Sequence, residues 1–410
     1  MSTEWHSSTL GEFVRLQRGH DLTAPEQQPG NIPIMGSAGP NGTHSIALAN
    51  GPGVVVGRSG ASAGRVHFSA VDYWPHNTCL YVTDFLGNSP RFAYYLLQTL
   101  DLASFNSGSA QPSLNRNFLY AIPVKIPTRI EQDGIVALLQ SLDDRITLLR
   151  ETNATLEAIV QALFKSWFVD FDPVRAKMEG RAPEGMDEAT AALFPDALEE
   201  SELGWVPKGW NTQTFRDTIN IIGGGTPKTS NAAFWGGEIP WFSVVDAPNA
   251  KDVFVVDTDK HITEAGLNGS STKLLPTGTT IISARGTVGR LALTGRPMAM
   301  NQSCYGLLGK AGDAYFTYFS TTRLVEQLKQ RAHGSVFDTI TQDTFSGVMV
   351  SYPTREMIAA FEVSVEPLML RLRENLLHSG TLATLRDTLL PRLISGQLRL
   401  PEAQALVAAA

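Results

Sequence analysis

The stretch "NGPGVVVGRSG" (50–60) has a counterpart in "TGTTIISARGT" (277–287), where a β-branched run again leads into an arginine and a glycine. Two further pairs of segments match in the same order, "AGRVHF" (63–68) with "VGRLAL" (288–293) and "GSAQPSLNRNFLYAIPVKIPT" (108–128) with "GSVFDTITQDTFSGVMVSYPT" (334–354). The separation stays between 225 and 227 residues, which indicates an internal repeat. Short runs of Val, Ile and Thr between Gly, Pro and Asn turns predict that each copy is a strand-rich module.

Each copy is followed by a segment with heptad periodicity, at 131–168 and at 361–393. Apolar residues recur there in alternating steps of three and four, the spacing of a coiled-coil seam. A helix of this kind reaches roughly 54 Å at 1.5 Å per residue, which is too long for a small domain. We therefore expect an antiparallel coiled coil, although two amphipathic helices lying on globular cores would give a similar pattern. The residues expected along this helical seam, and predicted as a subunit interface, are Leu142, Ile146, Leu149, Leu156, Leu368, Leu372, Leu382 and Leu389.

The predicted fold class is α+β, with two strand-rich α/β modules separated by two long helices in a pseudo-two-fold internal repeat. Pro367 and Pro391 fall inside the second helical segment and predict that this helix starts late or bends. The prolines and acidic residues between the copies predict an extended linker. The expected organisation is a first module at 1–130, a helix at 131–170, the linker at 171–205, a second module at 206–354, a helix at 355–400 and a tail at 401–410.

Composition is typical of a globular protein, with 43% hydrophobic and 18% charged residues. No apolar run approaches the ~18 residues of a membrane span, and "MSTEWHSSTLGEF" (1–13) has no signal-peptide pattern, so we expect a cytoplasmic location. The net charge of −7 gives no broad electrostatic attraction to nucleic acid. However, 15 acidic and 6 basic residues fall within 131–200, which leaves both modules near neutrality and allows local basic patches.

The two cysteines, Cys79 and Cys304, lie 225 residues apart and therefore at one equivalent place in the repeat. Isolated cysteines without CxxC spacing are typical of reduced thiols in the cytoplasm. We expect two buried, repeat-related thiols rather than a disulfide.

The sequence has no recognisable catalytic motif. "GGGTPKT" (223–229) is not a P-loop, because Pro227 stands where that motif requires glycine. We find no HExxH and no metal-ligand spacing among the eight histidines. The acidic-x-Lys element of common nucleases and the Asp/Asn-Pro-Pro-Tyr element of amino-methyltransferases are also absent. We therefore expect no catalysis, no metal and no cofactor in this chain.

The loops of both copies are rich in side chains that read DNA. Arginine can fork onto guanine or phosphate, Asn and Gln pair with adenine, and Gly-rich backbone can hold phosphate oxygens. Exposed arginines beside a hairpin, or Asn and Gln that cap turns, would have the same pattern without any ligand. The candidate DNA contacts are Arg58, Ser59, Arg65, His76, Asn77, Ser109, Gln111, Asn115, Arg116, Thr226, Lys228, Thr229, Arg285, Thr287, Arg290, Asn301, Gln302, Ser335 and Gln342.

Several motifs resemble the DNA specificity (S) subunits of type I restriction–modification systems. They are "GGGTPKTSNAAFWGGEIPWFS" (223–243), "IISARGTVGRLAL" (281–293), "LEAIVQALFKSWFVDFDPVRAK" (156–177), "LGWVPKGW" (203–210) and "TLLPRLISGQLRL" (388–400). The resemblance covers almost the whole chain. It implies that the modules are target-recognition domains, each reading one half of an interrupted, asymmetric DNA site.

The resemblance also implies partners. In that family the helices form a spacer and dock modification subunits, probably two per complex, which bind S-adenosylmethionine and methylate adenine. Restriction subunits that hydrolyse ATP with Mg²⁺ join the assembly. The leading hypothesis is thus a non-catalytic DNA-reading scaffold. A carbohydrate- or protein-binding module pair on a coiled-coil stalk is the alternative, and a self-sufficient nuclease or methyltransferase is the third reading.

Overall fold

The computed structural model describes residues 5–105, 113–248, 252–331 and 339–408. They divide into two compact units. Unit 1 contains the described residues up to Ile146 and those from Gly380 onward, and unit 2 contains Thr147–Ser379.

The first module, in unit 1, contains nine strands and three short helices within the described residues. They are β1 (His6–Thr9), α1 (Leu10–Phe13), β2 (Arg15–Arg18), β3 (Ile32–Gly36), β4 (Gly39–His44), β5 (Gly53–Gly57), β6 (Val66–Ser69), β7 (Trp74–Pro75), β8 (Cys79–Asp84), α2 (Pro90–Thr99), α3 (Arg116–Leu119) and β9 (Pro123–Ile126). The main sheet has the order β2-β8-β5-β6, and β4-β3-β7 and β1-β9 form smaller sheets. Strand β5 is buried along its whole length, as its Val-rich sequence predicts.

The residues after the first module form helices and a hairpin. They are α4 (Arg129–Phe168), α5 (Asp172–Met178), α6 (Glu188–Leu193), β10 (Leu198–Ser201) and β11 (Gly204–Pro207). The prediction of an extended linker is therefore wrong. Val174 and Phe194 are fully buried and fix this segment, because buried apolar side chains offset the entropy of ordering it.

The second module, in unit 2, repeats the pattern of the first. Its elements are β12 (Asn211–Thr214), α7 (Phe215–Thr218), β13 (Ile219–Gly223), β14 (Trp235–Phe242), β15 (Phe254–Val255), β16 (His261–Ile262), α8 (Glu264–Asn268), β17 (Thr280–Ser283), β18 (Leu291–Thr294), β19 (Ala299–Met300), β20 (Cys304–Gly309), α9 (Ala314–Arg331), α10 (Gln342–Ser346) and β21 (Met349–Tyr352). The main sheet has the order β13-β20-β17-β18-β15. Its first four strands correspond to β2-β8-β5-β6, which confirms the predicted internal repeat.

The chain ends in α11 (Arg355–Ile394) and α12 (Leu400–Ala408). The predicted late start of the second long helix is wrong, since α11 begins at Arg355 and continues through both prolines. Pro367 and Pro391 are exposed, so their rings need no space in the core. Residues 401–408 of the predicted tail belong to α12, with Ala403 buried.

Helices α4 and α11 run antiparallel within each unit. In unit 1, Arg386 forms an ion pair with Asp143 at 2.8 Å, and Arg399, which follows α11, lies 4.0 Å from Glu131. In unit 2, the Asn153 amide donates to the Leu372 carbonyl at 3.0 Å, and it accepts from Asn375 at 2.9 Å. The predicted antiparallel coiled coil and the α+β fold class are confirmed.

The eight leucine and isoleucine residues predicted for a subunit interface lie in the helical core of this chain. Five are buried, Leu142, Ile146, Leu372, Leu382 and Leu389. Leu149, Leu156 and Leu368 are half-buried. Their contact with a separate subunit stays a prediction, and an a/d seam that pairs within the chain leaves mainly its outer faces for other proteins.

Candidate nucleic-acid interface

In unit 1, three loops meet at one end of the main sheet. Directly after β5, the Arg58 N–H donates to the Thr78 carbonyl at 2.9 Å, and the Arg58 carbonyl accepts from the Leu114 N–H at 2.8 Å. Ser59 forms a β-bridge with Ser113. The loops at 58–65, 76–78 and 113–117 are thus tied together by backbone bonds, which position their side chains.

These loops border an open, polar cleft of about 840 Å³. The structure places three predicted residues along it, Arg58, Asn115 and Arg116, and joins Asn77 to its rim. Sequence reasoning missed six polar lining residues, Gln17, Arg18, His20, Asp21, Ser113 and Asn117. Of these, Gln17 and Arg18 end β2, and His20 and Asp21 fall in the stretch "GHDLTAPEQQPG" (19–30), which contains no repeated pattern that could have marked them.

Hydrogen bonds fix several cleft side chains. Asn77 Nδ2 donates to a carboxylate oxygen of Asp21, which lies 3.5 Å from the Arg18 guanidinium. Arg58 Nε donates to the main-chain carbonyl of Asn77 at 3.3 Å. Arg116 donates to the Leu16 carbonyl at 3.0 Å. The cleft therefore combines three arginines with one carboxylate, and this favours an anionic ligand that also offers hydrogen-bond donors.

The second module repeats the three-loop arrangement. The Ala284 N–H donates to the Ser303 carbonyl at 2.7 Å, the Ala284 carbonyl accepts from the Ile340 N–H at 2.9 Å, and Arg285 bridges to Thr339. These bonds make Ala284 equivalent to Arg58 and Arg285 equivalent to Ser59. The sequence-based pairing of Arg58 with Arg285 is therefore wrong by one residue.

The Gly-Arg pairs that close these loops are equivalent. The Arg65 carbonyl accepts from the Gly57 N–H at 2.7 Å, and the Arg290 carbonyl accepts from the Ser283 N–H at 2.9 Å. The preceding glycines, Gly64 and Gly289, have φ of 86° and 78°, a backbone region that favours glycine. The loop from Arg58 to Arg65 is one residue longer than the equivalent loop from Ala284 to Arg290.

Arg65, the closing arginine of the first module, does not line the cleft of Arg58. Arg65 lines a different cavity of unit 1, beside Tyr95, Asp143 and Arg386. The Arg290 guanidinium donates to the Pro248 carbonyl at 3.1 Å. Their predicted contact with DNA stays a prediction, and it would require a surface other than the cleft of Arg58.

The remaining described candidates lie in loops, except Gln342, which begins α10. Thr226 Oγ1 donates to Gln302 Oε1, which joins the Gly-rich loop to the loop before β20. The Asn301 side chain accepts from the Ser303 N–H at 3.0 Å, and His76 Nδ1 lies 3.0 Å from Thr78 Oγ1. Four more are exposed, Lys228, Thr229, Thr287 and Gln342. Ser109, Gln111 and Ser335 lie outside the described residues.

The cysteines confirm the repeat rather than a redox site. Cys79 is paired with Gly57 between β8 and β5, and Cys304 is paired with Ser283 between β20 and β17. Both are free and buried. Burial raises the pKa of each thiol to about 12, so both remain protonated at neutral pH.

Other site types find no support in the part of the chain that the structure describes. Among these residues, no group of three or more His, Cys, Asp or Glu side chains is arranged to hold a metal ion. No described helix has the length and apolarity needed to cross a membrane.

Comparison with known proteins defines the class. The sequence pattern of the type I restriction modification DNA specificity domain matches residues 2–158 and again 207–357. The chain therefore belongs to the DNA specificity subunits of type I restriction–modification systems. The two matches cover the two modules, the first continuing into α4, and they confirm the resemblance seen in the motifs.

Particular relatives agree. The chain is 30% identical to the type I restriction enzyme HindI specificity subunit of Haemophilus influenzae over 358 residues, which cover 75% of this chain and 77% of the relative. It is 30% identical to the MjaIX specificity subunit of Methanocaldococcus jannaschii over 162 residues, 39% and 38% of the two chains. The crystal structure of the S subunit from M. genitalium has the same fold, with a TM-score of 0.60, 16% identity and 96% of each chain covered.

Proposed function

We propose that the chain recognises a bipartite, asymmetric site in double-stranded DNA, with each module reading one half. The main observation behind this proposal is that loop positions with equivalent backbone hydrogen bonds hold different side chains in the two modules. Arg58 corresponds to Ala284, and Ser59 corresponds to Arg285. An identical frame with different donors and acceptors would read different base edges in the major groove. The two halves of the site would therefore differ in sequence.

Positive charge in the cleft of Arg58 supports DNA as the ligand despite the overall charge of −7. Arg18, Arg58 and Arg116 line one cleft of unit 1. Guanidinium groups can contact both phosphate oxygens and guanine, so a cleft with several arginines suits a duplex. A neutral carbohydrate, the alternative ligand class, would not need this concentration of charge.

The surface proposed for modification subunits lies on α11. Val363, Leu370 and Leu377 are 70%, 37% and 50% exposed, and their seven-residue spacing places them on one helix face. We call them the α11 stripe. An apolar stripe on a helix is a typical docking site for another amphipathic helix. Catalysis, with S-adenosylmethionine, ATP and Mg²⁺, belongs to the modification and restriction subunits in this proposal.

Mapping methylated adenines tests the recognition proposal, with the full chain assembled with its modification subunits. Arg58→Ala should weaken reading of one half-site and Arg285→Ala the other, each by ~1–3 kcal/mol if the arginine meets a base. Binding of the wild-type complex should fall steeply with salt. The proposal fails if both variants alter the same half-site, or if the wild-type complex shows no bipartite methylation pattern.

Leu370→Glu tests the docking surface, because a charge in an apolar contact weakens assembly. Copurification of the modification subunit should fall more than tenfold, while the circular dichroism spectrum of the isolated chain stays unchanged. Ser364→Glu is the matched control, since it adds the same charge to a different, exposed face of α11. Equal loss with both variants would rule out the α11 stripe.

A further inference from the structure

We propose that Asp21 is a specificity-determining residue of the first module, which orients the Asn77 amide so that its carbonyl oxygen faces the bound base pair. This inference rests on the proposed function, since it concerns how one half-site is read. Neither the repeated motifs nor the predicted contacts included Asp21. It lies in the cleft of Arg58 and accepts a hydrogen bond from Asn77 Nδ2.

Backbone bonds show that this pair has an equivalent in the second module. The His20 N–H donates to the Pro75 carbonyl at 2.7 Å, as the Gly225 N–H donates to the Met300 carbonyl at 2.9 Å. The next residues, Asp21 and Thr226, are therefore equivalent.

Their partners are equivalent too, because Arg58 bonds to the Thr78 carbonyl as Ala284 bonds to the Ser303 carbonyl, which matches Asn77 with Gln302. In the first module, a side chain of the loop after β2 thus bonds to a side-chain amide of the loop before β8. In the second module, a side chain of the loop after β13 bonds to a side-chain amide of the loop before β20. The position of the contact is repeated, but the first module uses the carboxylate of Asp21 where the second uses the hydroxyl of Thr226.

The two pairs constrain their amides differently. A carboxylate only accepts hydrogen bonds, so the Asn77 NH₂ group must face Asp21. The Arg18 guanidinium lies 3.5 Å from the same carboxylate. The amide carbonyl of Asn77 is then directed away from Asp21. A threonine hydroxyl can donate or accept, so Thr226 permits either orientation of Gln302.

The orientation decides which bases suit each position. In the major groove only adenine N6 and cytosine N4 offer a donor to a carbonyl oxygen. Asn77 held by Asp21 should therefore favour a base with an exocyclic amino group. Gln302, free to turn, should tolerate donors and acceptors alike. A carboxylate also repels phosphate, which places this pair opposite the base edges rather than the backbone.

Asp21→Thr, which copies the second module, tests the inference in the assembled methyltransferase. Preference is measured by competitive methylation of a duplex library randomised across the half-site of the first module. At one base pair, the preference for an amino-bearing base should fall about 5- to 150-fold, the range that a good base contact supplies. The other half-site should keep its preferences. Asp21 is 74% exposed, so its replacement leaves the core intact.

Two variants serve as matched controls. Asp72→Asn removes a carboxylate of the same module that accepts from the Gly51 N–H at 2.8 Å, and it should change nothing. Thr226→Ala should affect only the half-site of the second module. The inference is overturned if Asp21→Thr lowers methylation of all sequences equally, or leaves every preference unchanged. Failure of the proposed function would differ, since wild type would then lack a bipartite pattern.

Discussion

The two modules pack against the long helices through equivalent elements, but the contacts there are polar in unit 1 and apolar in unit 2. In unit 1, Tyr95 of α2 donates to Asp143 at 2.6 Å, and Arg386 donates to the same carboxylate at 2.8 Å. We call these three residues the polar junction. They border a cavity of about 510 Å³.

In unit 2 the corresponding positions are apolar. Helices α2 and α9 begin at Pro90 and Ala314, and α4 and α11 begin at Arg129 and Arg355. Counting from these starts, the polar junction corresponds to Phe319, Met369 and Val160, all buried. They belong to an apolar cluster, the aromatic junction, with Phe164, Phe168, Phe316, Phe361, Trp167 and Trp210.

The difference shows that the repeat preserves backbone geometry and not the source of stability. Packed aromatic rings stabilise by excluding water, and each ring contributes independently of hydrogen-bond geometry. A polar network stabilises only when every partner is present. We therefore expect the two junctions to respond differently to substitution and to pH.

The largest effect is expected from Phe164→Ala in the aromatic junction. The Phe164 ring lies 5.7 to 5.8 Å from those of Phe316, Phe319 and Phe361. Its removal leaves a cavity and should lower the free energy of unfolding of unit 2 by about 3–5 kcal/mol. Hydrogen exchange of unit 2 peptides, followed by mass spectrometry, measures this loss.

Phe164→Leu is the control, because it retains most of the apolar volume and should cost less than half as much. Peptides of the first module should keep their wild-type exchange rates. A loss below 1 kcal/mol in Phe164→Ala would contradict the stabilising role of the aromatic junction.

The second prediction concerns pH and Glu362, which lies beside the aromatic junction and accepts from the Phe316 N–H at 2.7 Å. Burial raises the pKa of Glu362 from 4.5 to about 7, and the Asp313 carboxylate adds to the shift. A raised pKa means that the native state holds its proton longer than the unfolded state. The stability from this group is complete below pH 4.5 and is lost as pH rises through 7, by about 3 kcal/mol in all.

Glu362→Gln removes this titration while keeping an oxygen that accepts from Phe316. Between pH 5 and 8, the hydrogen-exchange stability of unit 2 should decline less in the variant than in wild type. Some decline remains, because burial also raises the pKa of Asp313. Identical pH profiles would show that Glu362 does not titrate in this range.

Periodicity was enough to predict the architecture. The a/d spacing of the two helical segments and the ordered matches between the copies led to the repeat and to the antiparallel pairing. These features depend on local patterns that each segment carries in itself. Family resemblance then supplied the function, through motifs such as "GGGTPKTSNAAFW" (223–235).

The three-dimensional structure was needed to decide which loop residues of the two modules are equivalent. Matching the arginines aligned Arg58 with Arg285, but backbone bonds align Arg58 with Ala284, since bonding partners and not residue types define a position in a sheet. Asp21 escaped prediction because its partner, Asn77, lies 56 residues away along the chain. The helices and strands within residues 171–205 were not predicted, because prolines and acidic residues dominate this segment and only a few apolar residues fix it.

The smallest effect is expected at the polar junction, and it sharpens the comparison most. Asp143→Asn removes the charge that Arg386 and Tyr95 share and should cost about 1 kcal/mol, since both ion-pair side chains remain partly solvated. Converting all three residues to their counterparts, Tyr95→Phe, Asp143→Met and Arg386→Val, should instead restore wild-type stability or exceed it, because apolar side chains replace the network as a set. Hydrogen exchange of the α2 peptides measures both variants. If the triple variant loses at least as much stability as Asp143→Asn, the apolar residues of unit 2 cannot replace the polar junction at the equivalent positions of unit 1.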